Sequence, residues 1–327
     1  MSTILVTGAT GLTGSHVCKQ LIERGDHPRA LVRDAAAAEP LAALGIELAI
    51  GDVTDAASVL KAADGCEAAI HTAALLGGAS QDLADLQAVN YSGTCHVLDA
   101  AAAVGMRRVV ALSTGTFFDT TANGPVEEAP ISEHPSDDPY TISKLAAFRE
   151  AHARAAAGQD VVTCHPGAIY GPGPVAKRAM ARTSFNRVLQ AALQGKIKRY
   201  LSFPVTWVFA DDVARGSIAA LDHGVSGERY ALEGRPQDVS STAEGCNRAC
   251  EIANVPHRVE DVAVCDDPAL LAEFGPTLIG IAKTERGDPM KRPANSPTQR
   301  RLGYQPTSFD EGIRALVDWL REMGRID

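Results

Sequence analysis

The chain has 327 residues, 45% of them hydrophobic, which suits one large domain or two moderate ones with a sizeable core. Its 40 acidic and 31 basic side chains leave a formal charge of −9, and no basic cluster relieves it, so neither nucleic acid nor an anionic membrane is expected as a partner. Seven scattered cysteines make no disulfide framework.

Ile4, Leu5 and Val6 form an uncharged apolar run that predicts a buried parallel strand. Gly8, Gly11 and Gly14 follow at intervals of three, and His16 to Arg24 predicts a helix with Val17, Leu21 and Ile22 on one face. Strand, glycine turn and helix together can place a pyrophosphate on a helix N-terminus, where backbone N–H groups lack partners and the dipole favours an anion. The spacing is G-x-x-G-x-x-G rather than the commoner G-x-G-x-x-G, and an ordinary strand-to-helix turn is the alternative. Further strands are expected at 28–33, 46–50, 68–71, 107–112 and 161–165. Helices are expected at 35–44, interrupted by Pro40, and at 54–63, 82–104 and 140–157, the last capped by Asp138 with Pro139 at its first position. Residues 124–138 and 170–174 read as loops, and 286–297 as irregular.

Strands alternating with helices predict an α/β fold, a doubly wound parallel sheet whose ligands sit at the carboxyl ends of the strands. The glycine turn, Arg33, Asp52 and the stretches after His71 and Leu112 should therefore face one crevice. Beyond residue 175 the pattern loosens, with helices expected at 176–195, 211–223, 240–253 and 308–323 and a strand at 229–232. The expected division is a dinucleotide-binding domain over 1–175, with 206–232 returning to it, and a smaller lobe from 176–205 and 233–327. Cys246 and Cys250 lie four apart with no matching His or Cys pair, so no metal site is expected. No secretory leader or bilayer-spanning stretch is recognisable, and a cytoplasmic setting is the expectation.

Tyr140 and Lys144 lie four apart near a helix start, on one face. A tyrosine ordinarily titrates near about 10, and an ammonium beside it, with the helix N-terminus, should lower that and favour phenolate. Such a phenol can give a proton to a developing alkoxide or take one from an alcohol. An amphipathic surface pair is the alternative. Ser113, Thr114 and Thr116 at the end of the fifth strand can bond a substrate oxygen or simply cap a turn. Asn90 sits mid-helix, where asparagine is unfavourable, and either has a specific partner or makes a buried structural hydrogen bond.

Taken in order, these pieces resemble the extended short-chain dehydrogenase/reductase family, part of the NAD-dependent epimerase/dehydratase superfamily. The matching segments are Thr7 to Gly14, Gly51 to Asp55, His71 to Ala74, Asn90 to Thr94, Ser113-Thr114, Tyr140 to Lys144, His165 to Gly173, Val208 to Arg215 and Gly227 to Tyr230. The resemblance implies a Rossmann-type sheet with a smaller C-terminal substrate-binding lobe. It implies that Gly8, Gly11 and Gly14 hold a pyrophosphate, that Asp52 and Val53 contact adenine, and that Ala73 and Ala74 line the ribose and nicotinamide side. Pro166, Gly167 and Ile169 would shape the nicotinamide pocket, and Thr7, Thr10, Leu12, Thr72, Asn90 and Leu112 complete the expected cofactor contacts. Tyr140 would be the acid/base, Lys144 its partner and a ribose ligand, and Thr114 the third catalytic position, with Ser113 beside it. Leu75, Leu76, Phe117, Tyr170 and Trp207 are candidate substrate-pocket walls, with plain core as the alternative for each. The two long helices, 82–104 and 139–157, would offer a homodimer interface.

Arg33 ends the second strand, where NAD enzymes tend to place an acid, and a guanidinium there can fork onto a 2′-phosphate. NADP(H) is therefore expected over NAD(H). Asp34 would either repel that phosphate or cap the next helix. The Val-Arg-Asp ending looks like the dihydroflavonol-reductase-like branch. An aromatic, apolar stretch, Ser202 to Trp207, stands where sugar-nucleotide enzymes commonly carry Arg-Asp-Phe. The expected reaction is reduction of an aldehyde or ketone, or oxidation of the alcohol. A sugar-nucleotide epimerase, with Lys196, Lys198 and Arg199 near a diphosphate, is the alternative. A non-catalytic NADP(H) sensor is a third.

Overall fold

Ile4, Leu5 and Val6 have no exposed surface, as a strand covered on both faces of its sheet requires. The computed structural model describes residues 1–77, 82–122, 124–265, 268–283 and 296–327. The first half runs β1 (Thr3–Thr7), α1 (Leu12–Glu23), β2 (His27–Val32), α2 (Glu39–Ala42), β3 (Glu47–Ile50), α3 (Ala56–Ala63) and β4 (Ala68–His71). Then come α4 (Leu83–Leu86), a π-helical turn (Gln87–Ser92), α5 (Gly93–Val104), β5 (Arg108–Leu112), α6 (Pro139–Ala156) and β6 (Val161–Pro166). The remainder contributes β7 (Ala168–Tyr170), α7 (Ala176–Ala179), α8 (Phe185–Leu193), β8 (Arg199–Leu201), β9 (Trp207–Phe209), α9 (Ala210–His223) and β10 (Arg229–Leu232). It closes with α10 (Thr242–Ile252), β11 (Glu260–Val262), α11 (Pro268–Phe274), α12 (Pro276–Lys283), α13 (Pro297–Leu302) and α14 (Phe309–Glu322).

Seven parallel strands form the main sheet in the order β10-β6-β5-β4-β1-β2-β3. The chain reverses its direction of travel across the sheet between β1 and β4, which opens a crevice at their carboxyl ends. α1 and α9 pack on one face, and α3, α5 and α6 on the other. Two short parallel pairs, β7 with β9 and β8 with β11, lie outside this sheet. A second apolar core, with Leu189, Trp207, Cys246 and Leu316, joins α8, α10 and α14. Among the described residues no helix is long and apolar enough to cross a membrane.

Four local expectations change. The helix expected over 35–44 shrinks to Glu39–Ala42, because Pro40 fits the first turn and starts the helix rather than interrupting it. Asp34 accepts the Ala36 N–H at 2.9 Å, a local turn that uses up the residues before it. The helix expected over 82–104 carries a π turn that contains Asn90. The helix expected over 176–195 breaks between Ala179 and Phe185, where Ser184 caps α8 and Asn186 bonds the carbonyls of Gly171 and Ala179 at 2.7 and 3.1 Å. Of the stretch read as irregular, 286–295 lies outside the described residues, and Pro297 opens α13.

Asp138 fixes the start of α6, its Oδ1 accepting the N–H groups of Tyr140 and Thr141 at 3.0 and 3.1 Å. Replacing it with alanine should cost about 0.5–2 kcal/mol, measured by urea unfolding, whereas Asp138→Asn, which keeps the cap, should lose only a fraction of that.

Candidate active site

The turn after β1 brings its backbone against the end of β4. Gly8 has φ +67°, and a Cβ there would fall 2.6 Å from the Ala73 nitrogen. At Gly14 a Cβ would fall 2.4 Å from the Gly8 carbonyl oxygen and 2.7 Å from Thr72 Oγ1. Only glycine permits this approach. Gly11 is the N-cap of α1 and supplies no side-chain acceptor, so the N–H groups of the first turn stay available for an anion. Thr10, Gly11 and Leu12 keep partial exposure there. A close-packed glycine cradle ahead of a twelve-residue helix fits a dinucleotide pyrophosphate.

His71, at the end of β4, locks this cradle to the π turn. The Thr94 hydroxyl donates to the Asn90 carbonyl at 2.7 Å, so His71 Nε2–H must donate to Thr94 Oγ1 at 3.0 Å. His71 Nδ1 then accepts the Thr7 hydroxyl at 2.7 Å, and Thr7 Oγ1 accepts the Ala73 N–H at 3.3 Å. Burial pushes the His71 pKa down to about 3, with the Lys144 charge adding to the shift, so the ring stays neutral. Asn90 has its specific partners. Its amide bonds both backbone groups of Leu75, at 2.8 and 2.9 Å, and donates to Ser143 Oγ at 3.0 Å.

At the far side Asp52 accepts both the N–H and the hydroxyl of Thr54 at 2.9 Å. Val53 is buried, and its carbonyl accepts from His96 at 2.8 Å. Arg33 is two-thirds exposed and stands 3.8 Å from Asp52, beyond hydrogen-bond range.

Tyr140, Lys144 and Thr114 meet where β5 and α6 converge. The Thr114 hydroxyl faces the Tyr140 phenol, and the Lys144 ammonium donates to the Leu112 carbonyl at 2.7 Å. Lys144 thus spends a proton on the strand end, and its charge is not among the influences on the phenol. The direction expected for Tyr140 reverses: burial pushes it up to about 12, the Thr114 hydroxyl opposes this and the Asp138 carboxylate adds to it. Burial also pushes Lys144 down to about 8. Ser113 donates its N–H to the Cys164 carbonyl at 2.7 Å, while its hydroxyl is buried without a partner among the described residues.

The expected pocket walls separate into two groups. Ala74 and Leu76 are exposed at the crevice, and Leu75 is partly buried. Phe117, Tyr170 and Trp207 are instead core: Phe117 packs with Phe118 and Phe148, the Tyr170 hydroxyl donates to the Phe309 carbonyl at 3.2 Å, and Trp207 Nε1 donates to Ser240 at 2.9 Å. None has surface left for a ligand. Gly167 donates to the Leu232 carbonyl at 3.2 Å, which sets Pro166 and Ile169 on either side of the link between β6 and β7. Sequence reasoning missed His71, Ser143 and His165 as site-shaping groups. The available signal was a histidine at the end of an otherwise apolar parallel strand, twice over.

Residues 4–232 match the NAD dependent epimerase/dehydratase family. The chain belongs to that family. It is an NAD(P)-dependent enzyme of the extended short-chain dehydrogenase/reductase type. It is 29% identical over 339 residues to "Sterol demethylase protein B" of Methylococcus capsulatus, covering 99% of this chain and 100% of that one. It is also 29% identical over 342 residues to cinnamoyl-CoA reductase 1 of Oryza sativa subsp. japonica, covering 99% and 91%. Among solved structures, that of gox2253 aligns with a TM-score of 0.84 at 25% identity across 100% of both chains.

The buried Lys144 makes a linkage prediction for this family member. Below pH 8 both folded and unfolded chains are protonated there, and the buried charge weakens the fold throughout. From about 8 to 10.5 the unfolded chain holds a proton that the folded one has released, so stability rises with pH. Urea unfolding of wild type against Lys144→Met should show a relative gain on the order of 3 kcal/mol across that window. A flat difference would remove the claim that Lys144 is buried as a charge.

Proposed function

We propose that the chain is an NADP(H)-dependent oxidoreductase that reduces an aldehyde or ketone, the reverse oxidation being the same chemistry run backwards. The observation that carries this reading is the convergence at the crevice of Thr114, whose hydroxyl acts on the Tyr140 phenol, with a buried Lys144 held on the Leu112 carbonyl at the end of the same strand. A phenol held up to about 12 keeps its proton at neutral pH and is a general acid ready to donate, which suits the reductive direction. Thr114 would hold the substrate oxygen while Tyr140 passes its proton to that oxygen. Lys144 would bond the nicotinamide ribose and favour the phenolate left behind. Gly8, Gly11 and the first turn of α1 would hold the pyrophosphate. When bound, the nicotinamide supplies the hydride that reaches the carbonyl carbon. The lobe of 176–205 and 233–327 would close the substrate side.

For NADP(H) over NAD(H), the support is an exposed Arg33 guanidinium, held only by a long 3.8 Å ion pair to Asp52, and an Asp34 carboxylate turned onto its own backbone. Against a sugar diphosphate stand the exposure of Lys196 and Lys198 and the engagement of Arg199 with Glu273 at 2.6 Å. The relatives' names, a sterol demethylase protein and a cinnamoyl-CoA reductase, argue for including sterol-like ketones and aryl aldehydes in any substrate screen.

The test is NADPH consumption with a panel of aldehydes, aryl ketones and sterol-like ketones, run beside Tyr140→Phe. Turnover should fall by about 10²–10⁴-fold in the variant with NADPH affinity unchanged. Full turnover by Tyr140→Phe would end the mechanism. Wild-type inactivity across the panel would move the assignment to an epimerase, whose hydride returns to its own substrate. In the same preparations Arg33→Ala should raise the NADPH Kd about tenfold or more and leave that of NADH alone. An unchanged NADPH Kd would overturn the cofactor preference.

A further inference from the structure

Thr114 lies beyond the end of β5, outside any strand, yet its hydroxyl has to hold a fixed place opposite Tyr140. Two contacts from neighbouring residues of β6 grip the backbone on either side of it. The Ser113 N–H donates to the Cys164 carbonyl at 2.7 Å, and the Thr114 carbonyl accepts from His165 Nδ1 at 2.8 Å. A carbonyl only accepts, so Nδ1 carries a proton. In the neutral ring Nε2 is then an acceptor, and it takes the Thr163 hydroxyl proton at 3.0 Å. Thr163 Oγ1 in turn accepts from His152 Nε2 at 3.3 Å.

His152 belongs to α6, the helix that begins with Tyr140 and Lys144. The hydrogen-bonded series therefore leaves the helix of the proposed acid, crosses β6 and ends on the backbone of the residue opposite that acid. Every donor direction along it is fixed by the terminal carbonyl. The His165 ring cannot turn away: it is 2% exposed, and the rings of Phe118, Phe148 and Phe117 surround it with centroids at 5.0, 5.5 and 6.3 Å. Burial pushes its pKa down to about 3, against the opposing Thr114 carbonyl bond and with Arg229, His152 and Lys144 adding to the shift, so the imidazole stays neutral and its tautomer constant.

We propose that His165 is a positioning residue, whose Nδ1–H fixes the Thr114 carbonyl and thereby aims the Thr114 hydroxyl at the substrate oxygen held with Tyr140. This rests on the reductase reading for its consequence in turnover, and on geometry alone for the tautomer.

Two variants separate positioning from packing. His165→Phe keeps an aromatic ring in the cage and deletes the donor. His165→Asn restores a donor near the Nδ1 position and deletes the ring. Positioning predicts that kcat falls on the order of 10–100-fold in His165→Phe, with KM for NADPH within about twofold. It predicts that His165→Asn recovers to within about threefold of wild type, although it has the lower Tm of the two. Equal losses of kcat in both variants, or wild-type kcat in His165→Phe, overturn the proposal. A second measurement needs no turnover. In ¹⁵N-histidine spectra of the wild-type protein, the resonance absent from His165→Asn should report a neutral Nδ1–H tautomer from about pH 5 to 9. An Nε2–H tautomer or an imidazolium there overturns the proposal whatever the activity. A fully active Tyr140→Phe overturns the reductase reading and leaves the tautomer result standing.

Discussion

The architecture depends on one close approach: the backbone of the glycine turn lies so near residues 72 and 73 that no Cβ fits at Gly8 or Gly14. That contact presses the start of α1 onto the end of β4 and fixes the direction of the helix axis relative to the crevice. It also places Thr7 Oγ1 within reach of both His71 and the Ala73 N–H, so a steric fact about the turn becomes an electrostatic fact about the loop after β4. Parallel strands buried on both faces hold the turn from below.

Beneath the crevice the protein buries several ionisable groups and satisfies nearly all of them. In a low dielectric each unpaired polar atom is expensive, so the orientation of every neighbour becomes determined. His71 and His165 occupy equivalent places, at or near the ends of β4 and β6, and both are held neutral by burial. They have opposite tautomers, because one ends on a hydroxyl whose proton is already committed and the other on a carbonyl. Tyr140 and Lys144 are displaced in the same physical sense, each toward its uncharged form.

Much of this was legible from residues alone. The alternation of apolar strands and helices read through to the seven-stranded sheet, and Asp138 announced the helix it caps, whereas Asp34 makes a local turn instead of capping the next helix. The rule that ligands sit at the carboxyl ends of parallel strands pointed to the crevice between β1 and β4. What could not be read were matters of tertiary environment. Pro40 sits equally well in a helix interrupted or a helix begun, and only the folded turn decides. Phe117, Tyr170 and Trp207 have the composition of a pocket lining and also of a core, and their hydrogen bonds and packing commit them to the core. The direction of the tyrosine shift is set by burial of the phenol, while Lys144 is engaged by the Leu112 carbonyl, and neither is visible in spacing. β7 and β9 pair over three residues each, too few to leave a pattern.

The π turn over Gln87–Ser92 carries a consequence for how this helix can change in evolution. A π turn is an α-helix with one residue too many, so the faces presented by α4 and α5 are out of phase by one step. The surplus residue is what swings Asn90 inward to clasp Leu75 and Ser143 while leaving Thr94 aligned with His71. Deleting a single residue from this stretch would give a regular helix with better backbone bonding and a poorer site. Such a deletion would therefore exchange site geometry for stability, the trade-off expected where a locally unfavourable backbone holds polar groups in place.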